Sequence, residues 1–132
     1  MDLRPRVTKL KNLNVNLALQ DARAEGISAY VLSGTEITDR ESLFEAVRIS
    51  LPLDPPLVGS KSWDAMSDSL WSGLDALTSG RIIIIWTNSS AMEQLAPRDF
   101  ELALKVFEDV AQSLADPVAT NGEPKEVRVL VG

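Results

Sequence analysis

Apolar residues recur along this chain in two rhythms, steps of three and four and short unbroken runs, and their order predicts alternating helices and strands. Residues 17–25 hold Ala18, Ala22 and Ala24 between Asn16, a capping residue type, and Gly26, a helix stop. A helix is expected there, although the alternation of Leu13, Val15, Leu17 and Leu19 also suits a strand. Residues 28–33 read as a first strand closed by Gly34. Thr38 and Glu41 have the spacing of a capping box, and the helix they open repeats Leu43, Phe44, Val47 and Leu51 on one face. Pro52, Pro55 and Pro56 end it and stiffen a loop running to about residue 62.

A second helix is expected from Trp63, with Met66, Leu70, Leu74 and Leu77 continuing its apolar face. Gly73 is expected to interrupt it, and Ser79-Gly80 to stop it. Residues 81–86 are nearly all apolar and β-branched, the pattern of a strand buried on both faces in a parallel sheet. Ser90 and Glu93 suggest another capping box and one short helical turn. Pro97 suits the first turn of a helix whose face is Phe100, Ala103, Leu104, Phe107, Val110, Ala111 and Leu114. Asp116-Pro117 ends it, and residues 126–131 form the last strand. Helices between successive strands imply an α/β fold, three parallel strands covered by helices. Residues 1–15 are expected to be a loose basic arm and 16–132 a single domain.

Composition narrows the function. The 132 residues include no cysteine, which excludes disulfides and thiolate metal sites. There is no histidine either, which removes the commonest neutral-pH base and every Ser-His or Cys-His dyad. An enzyme is therefore not expected, and no cofactor is implied. The longest apolar run, 82–86, is far below the ~20 residues of a membrane span. No apolar stretch follows Arg4 and Arg6 that would suit a secretory leader, so a cytoplasmic location is expected. Net charge is −6; residues 1–11 carry +3 (four cations against Asp2), leaving −9 for the rest. Such a body repels nucleic acid and attracts basic partners.

The helix after Trp63 carries the sharpest candidate site. At ~100° per residue, Asp68 and Asp75 fall within roughly 40° of Asp64, and Trp71 lies roughly 20° to its other side. This acidic stripe suits an ordinary solvated helix face as well as a binding surface, but a tryptophan in the stripe is typical of interface hot spots. Asp64 and Asp68 have a spacing that suits a hard cation, yet no third ligand is evident, so no metal is expected. Glu108 and Asp109 lie on the polar side of the last helix, either solvated or adding to the same surface. Residues 59–62 have too few glycines for a phosphate loop. Asn88-Ser89-Ser90 after the central strand suits the start of a helix better than a site. The basic arm has no interleaved aromatics that would favour nucleic acid or a membrane.

Four stretches together resemble the barstar family of ribonuclease inhibitors. They are residues 30–34 with Ile37-Thr38, Gly59 through Trp63-Asp64-Ala65-Met66-Ser67-Asp68, residues 82–86 with Asn88-Ser89-Ser90, and residues 100–110 with Glu108-Asp109. The resemblance runs from about Ser28 to the C-terminus. It implies a three-stranded parallel sheet wrapped by helices, and acidic side chains that enter a ribonuclease active site and occupy its phosphate subsites. It assigns partner binding to Gly59 of the loop, Asp64 and Asp68, and to Asp109 on the last helix; Ser62, Ser67, Trp71 and Asp75 extend the expected binding surface. The implied partner is a basic protein, a ribonuclease or ribonuclease-type toxin, bound by a chain that is monomeric when free. The chain departs from the family at Leu57 and Val58, where two aromatics are usual, at Ser62, where asparagine is usual, and at Ser67, where some members carry tryptophan. Lys61 adds a positive charge to the loop. These departures keep open a second reading, an interaction or regulatory module of the same fold with a non-nuclease protein partner.

Overall fold

The computed structural model describes residues 6–59 and 61–132. Residues 1–5, with Arg4 of the expected arm, and Ser60 of the loop lie outside the described residues. The elements are β1 (Val7–Lys9), α1 (Val15–Ala24), β2 (Ser28–Ser33), a 3-10 turn (Gly34–Glu36), α2 (Arg40–Ser50), α3 (Trp63–Asp75), β3 (Arg81–Thr87), α4 (Ser90–Leu95), α5 (Pro97–Leu114) and β4 (Glu126–Val131).

The fold is α/β with a parallel sheet covered by helices, but the sheet has four strands, not three, in the order β1-β4-β3-β2. All three pairings are parallel. The extra strand comes from the segment expected to be loose: Val7, Thr8 and Lys9 stand opposite Val129, Leu130 and Val131. An edge strand of three mostly exposed residues shows no apolar period. It is held instead from outside the sheet, where the Glu108 carboxylate accepts the backbone N–H groups of Arg6 and Val7 at 2.9–3.3 Å.

The core lies mainly on one face of the sheet. Ile82, Ile84 and Trp86 of β3 and Val127, Val129 and Val131 of β4 point to it, as the two-residue side-chain period of a strand requires. Helices α2, α3 and α5 close over them with Phe44, Val47, Met66, Leu70, Leu74, Phe107 and Leu114, all buried. Each such side chain contributes roughly 1.5–3 kcal/mol relative to exposure. Trp86 meets Phe100 and Phe107 edge-on, with centroids 5.4 and 6.2 Å apart. The other face is covered by α1, with Ala22 and Ile85 buried. That short helix does not cover the whole face, so Ile83, expected to be buried with its neighbours, is only half-buried.

Helix boundaries differ from the expected caps in detail. Asn14, not Asn16, caps α1 through a 3.0 Å bond from the Leu17 N–H. Asp39, not Thr38, caps α2, and Ser42 closes the box that Glu41 was expected to close. No side chain caps α4. Gly73 does not interrupt α3. The helix runs through it because the Pro52 carbonyl approaches so closely that a Cβ would lie 2.1 Å from its oxygen.

Candidate functional site

The loop after α2 is anchored at several points before it reaches α3. Leu57 is buried among core residues. The Arg48 guanidinium of α2 donates to the Leu57 carbonyl at 2.5 Å. The Asp54 N–H donates to the Ser69 carbonyl of α3 at 3.0 Å. Pro52 lies against the glycine notch at position 73. Arg48 was not singled out in the sequence, and Gly73 was read only as a helix break, because nothing in their spacing shows that a loop returns across them.

Beyond Leu57 the chain turns outward. Val58 is 85% exposed and Gly59 is exposed. The glycine has φ of +71°, a left-handed conformation that side-chain-bearing residues seldom adopt. Ser62 then caps α3, its hydroxyl accepting the Ala65 N–H at 3.4 Å.

On α3 the sequence stripe is one face. Asp64, Asp68, Trp71 and Asp75 follow at steps of four, three and four, while Met66, Leu70, Gly73 and Leu74 are buried on the far side. Asp64 and Asp68 are exposed, and Ser67, Trp71 and Asp75 are half-buried. Among the described residues, the carboxylates of Asp64, Asp68 and Asp75 have no hydrogen-bond or ion-pair partner. Trp71 is partly committed inward, because its ring rests against the core and its Nε1–H donates to the Ser113 hydroxyl of α5 at 3.0 Å. The tryptophan therefore presents an edge held in one orientation.

Helices α3 and α5 end at the same edge of the sheet, where β3 and β4 begin side by side, so they run in the same direction. Asp109, one turn before Ser113, thus stands toward the Ser67–Asp68 turn of α3. It differs from the stripe in being paired: Lys105 Nζ lies 2.9 Å from its carboxylate. Its neighbour Glu108 is turned toward β1 and holds the edge strand. Lys61 is paired as well, at 3.1 Å from Glu41 at the start of α2. Asp39 beside it has its carboxyl held below the usual range by the Ser42 backbone N–H, then by the Ser42 hydroxyl and the charge of Lys61.

Among the described residues, no group of three or more acidic side chains is placed to hold a metal ion. No helix among them is long and apolar enough to cross a membrane.

No curated protein matches the chain. The sequence model of the Barstar (barnase inhibitor) family matches residues 27–131, from just before β2 to the end of β4, leaving β1 and α1 outside the match. With that match covering most of its 132 residues, the chain belongs to the Barstar family.

Proposed function

We propose that this chain inhibits a basic ribonuclease by covering its active site with the 57–62 loop and the outer face of α3. The observation that carries the reading is the row of carboxylates on α3, Asp64, Asp68 and Asp75, which have no partner among the described residues, beside a loop fixed by Arg48 and Leu57. Charges left without internal partners are solvated when the chain is free and lose that water only against complementary cations. A ribonuclease active site supplies such cations, because it binds phosphates. Asp64 and Asp68 would occupy the phosphate subsites, with Gly59, Ser62 and Ser67 at the loop side of the contact and Trp71 and Asp75 at its far end. Asp109 contributes less, since Lys105 already neutralises it.

The reading needs no catalytic group and no cofactor. It describes a binding protein that acts as a monomer on a protein partner, in the cytoplasm, as an antitoxin or immunity protein does. Negative charge on the body speeds encounter at low salt, and this advantage fades as salt screens it.

One observation favours a different partner of the same surface. Val58 is 85% exposed at the loop tip, beside Lys61 with its positive charge, where the family usually presents aromatics and no cation. A non-nuclease protein offering an apolar pocket next to an acidic group would suit this tip.

The test is a competition assay of ribonuclease activity, with barnase as the first target. Inhibition that is lost in Asp68→Ala and kept in Glu45→Ala supports the proposal. Absence of inhibition across a panel of basic ribonucleases, with the chain folded, favours the second reading.

A further inference from the structure

The two outer strands of the sheet are unlike. The β1 edge is three residues long and carries Lys9, with Arg6 just before it. Short length and an edge cation are common means of preventing the addition of another strand. The β2 edge has neither. Its six residues, Ser-Ala-Tyr-Val-Leu-Ser, include no charge and no proline. Their register with β3 runs unbroken from Ser28 to Ser33, so no bulge turns this edge away.

The direction of its backbone groups follows from Thr87 of β3. The Thr87 hydroxyl donates to the Leu32 carbonyl at 3.4 Å and accepts the Gly34 N–H at 3.3 Å. Leu32 and Gly34 therefore face β3. In a parallel ladder a residue turns its N–H and C=O to the same side, and the side alternates along the strand. Ala29, Val31 and Ser33 thus turn theirs outward. Among the described residues these outward N–H and C=O groups have no backbone partner.

A groove adjoins the same strand. It has a volume of about 320 Å³ and lies between Ser33 at the end of β2, Glu36 and Ile37 just after it, and Ala46 and Ile49 of α2. Ile49 is 76% exposed, a large apolar side chain left in water. Tyr30 and Leu32 of β2 point to the helix side of the sheet, in register with Ile84 and Trp86 of the core. A strand added beside β2 continues that pleat, so every second side chain of it falls on the helix side, toward Ala46 and Ile49.

We propose that the β2 edge binds an extended segment of another protein, which adds a fifth strand, sets an apolar side chain against Ile49 and places a lysine or arginine beside Glu36. Charge selects this occupant. Glu36 is exposed, and its carboxylate has no hydrogen-bond or ion-pair partner among the described residues. A second copy of this chain suits the edge poorly. The antiparallel register that uses every outward residue, Val31 on Val31 and Ala29 on Ser33, brings Glu25 of one copy toward Glu36 of the other, like on like, in a chain of net charge −6. A cationic end meets no such repulsion. None of these residues belongs to the α3 face, so the proposal stands or falls independently of ribonuclease inhibition.

Selection from a phage-displayed library of random eight-residue peptides on the full chain tests it, followed by amide hydrogen exchange with the tightest peptide. The expected peptides alternate apolar residues and carry a lysine or arginine. At saturation the peptide should slow exchange of the Ala29, Val31 and Ser33 amides at least tenfold and leave those of Tyr30 and Leu32, already bonded to β3, little changed. Glu36→Lys should weaken the peptide at least tenfold and favour the same peptide with glutamate in place of its cation, a swap that a misfolded variant does not mimic. Ile49→Ser should weaken it several-fold. The proposal is overturned if no selected peptide protects those three amides, as when all of them map to the α3 face, or if Glu36→Lys leaves affinity unchanged. Protection of the same amides that grows with the concentration of the chain alone would also overturn it, since the occupant would then be a second copy.

Discussion

Helices α3 and α5 both carry neighbouring carboxylates on their outer sides, and in sequence the two sets look alike. In the structure they have different uses. On α5, Glu108 binds the backbone of the edge strand and Asp109 pairs with Lys105 one turn away. On α3, Asp64, Asp68 and Asp75 have no internal partner among the described residues. A carboxylate with an internal partner stabilises the fold, and a new partner must compete for it. A carboxylate without one contributes little to the fold and is free to bind. Counting acids on helix faces therefore overstates α5 as a binding surface, and the partner of each oxygen decides the matter.

The largest difference expected between the helices is in binding. Asp64→Ala and Asp68→Ala should each weaken inhibition by about 2–5 kcal/mol, mainly through faster dissociation, and leave the unfolding midpoint nearly unchanged. That magnitude is the general cost of truncating one partner of a buried, hydrogen-bonded charge pair; close pairs between barnase and barstar couple by about 1.5–7 kcal/mol. Asp109→Ala should cost less than about 1 kcal/mol of inhibition, as an exposed pair does. Equal losses at Asp109 and Asp68 would erase the contrast between the helices.

Stability should show the reverse order. Glu108→Ala leaves the Arg6 and Val7 N–H groups without their acceptor and should lower unfolding free energy by about 1–3 kcal/mol in urea titration. Inhibition measured where the variant is fully folded should be little changed. Protection of the Val7 and Leu10 amides, bonded to Glu108 and to the Val131 carbonyl, should drop first on hydrogen exchange, because β1 depends on that carboxylate.

A smaller effect concerns acid. The Asp39 carboxyl is held below its usual range in the folded chain, chiefly by the Ser42 N–H and hydroxyl. The unfolded chain therefore takes up this proton first. The stabilising contribution is complete above the ordinary carboxylate range and is lost as pH falls through and below about 4. Wild type and Asp39→Asn, which keeps a capping side chain, should differ in stability by an amount that is flat from pH 5 to 8 and changes only in acid. A difference that varies between pH 6 and 8 would assign the effect to another group.

The smallest effect is at Lys61. Its charge is engaged by Glu41 at 3.1 Å, and both side chains are well exposed. Lys61→Ala should leave inhibition unchanged or strengthen it slightly, because a positive charge is removed from the loop facing a basic target. A marked loss would mean that Lys61 contacts an acid on the partner, as a non-nuclease target would allow.

Much of the architecture is legible from the apolar rhythm, since the faces of α3 and α5 and the run of β3 are fixed by burial in one core. Residues that act through the backbone are not legible in this way. Nothing around Val7–Lys9 marks it as a strand, because its pairing depends on β4 and its anchoring on Glu108, about a hundred residues away. Gly73 looks like a helix break because its propensity is poor, yet tertiary contact with Pro52 decides its role. The stripe on α3 could be drawn from spacing alone. That Trp71 gives its N–H to Ser113, and that Asp109 is neutralised by Lys105 while Asp68 is not, depend on neighbours that spacing alone does not rank.

The most direct test of the proposed role of α3 is the dissociation rate of the complex with a basic ribonuclease, barnase first, compared among wild type, Asp68→Ala and Glu45→Ala. Glu45 is an acid of the same charge that is paired with Arg48 on α2. The expected result is a dissociation rate raised by two orders of magnitude or more in Asp68→Ala, in line with a loss of about 3 kcal/mol or more, and unchanged within a factor of three in Glu45→Ala. Equal rates for the two variants would contradict a specific site on α3 and leave only attraction by bulk charge.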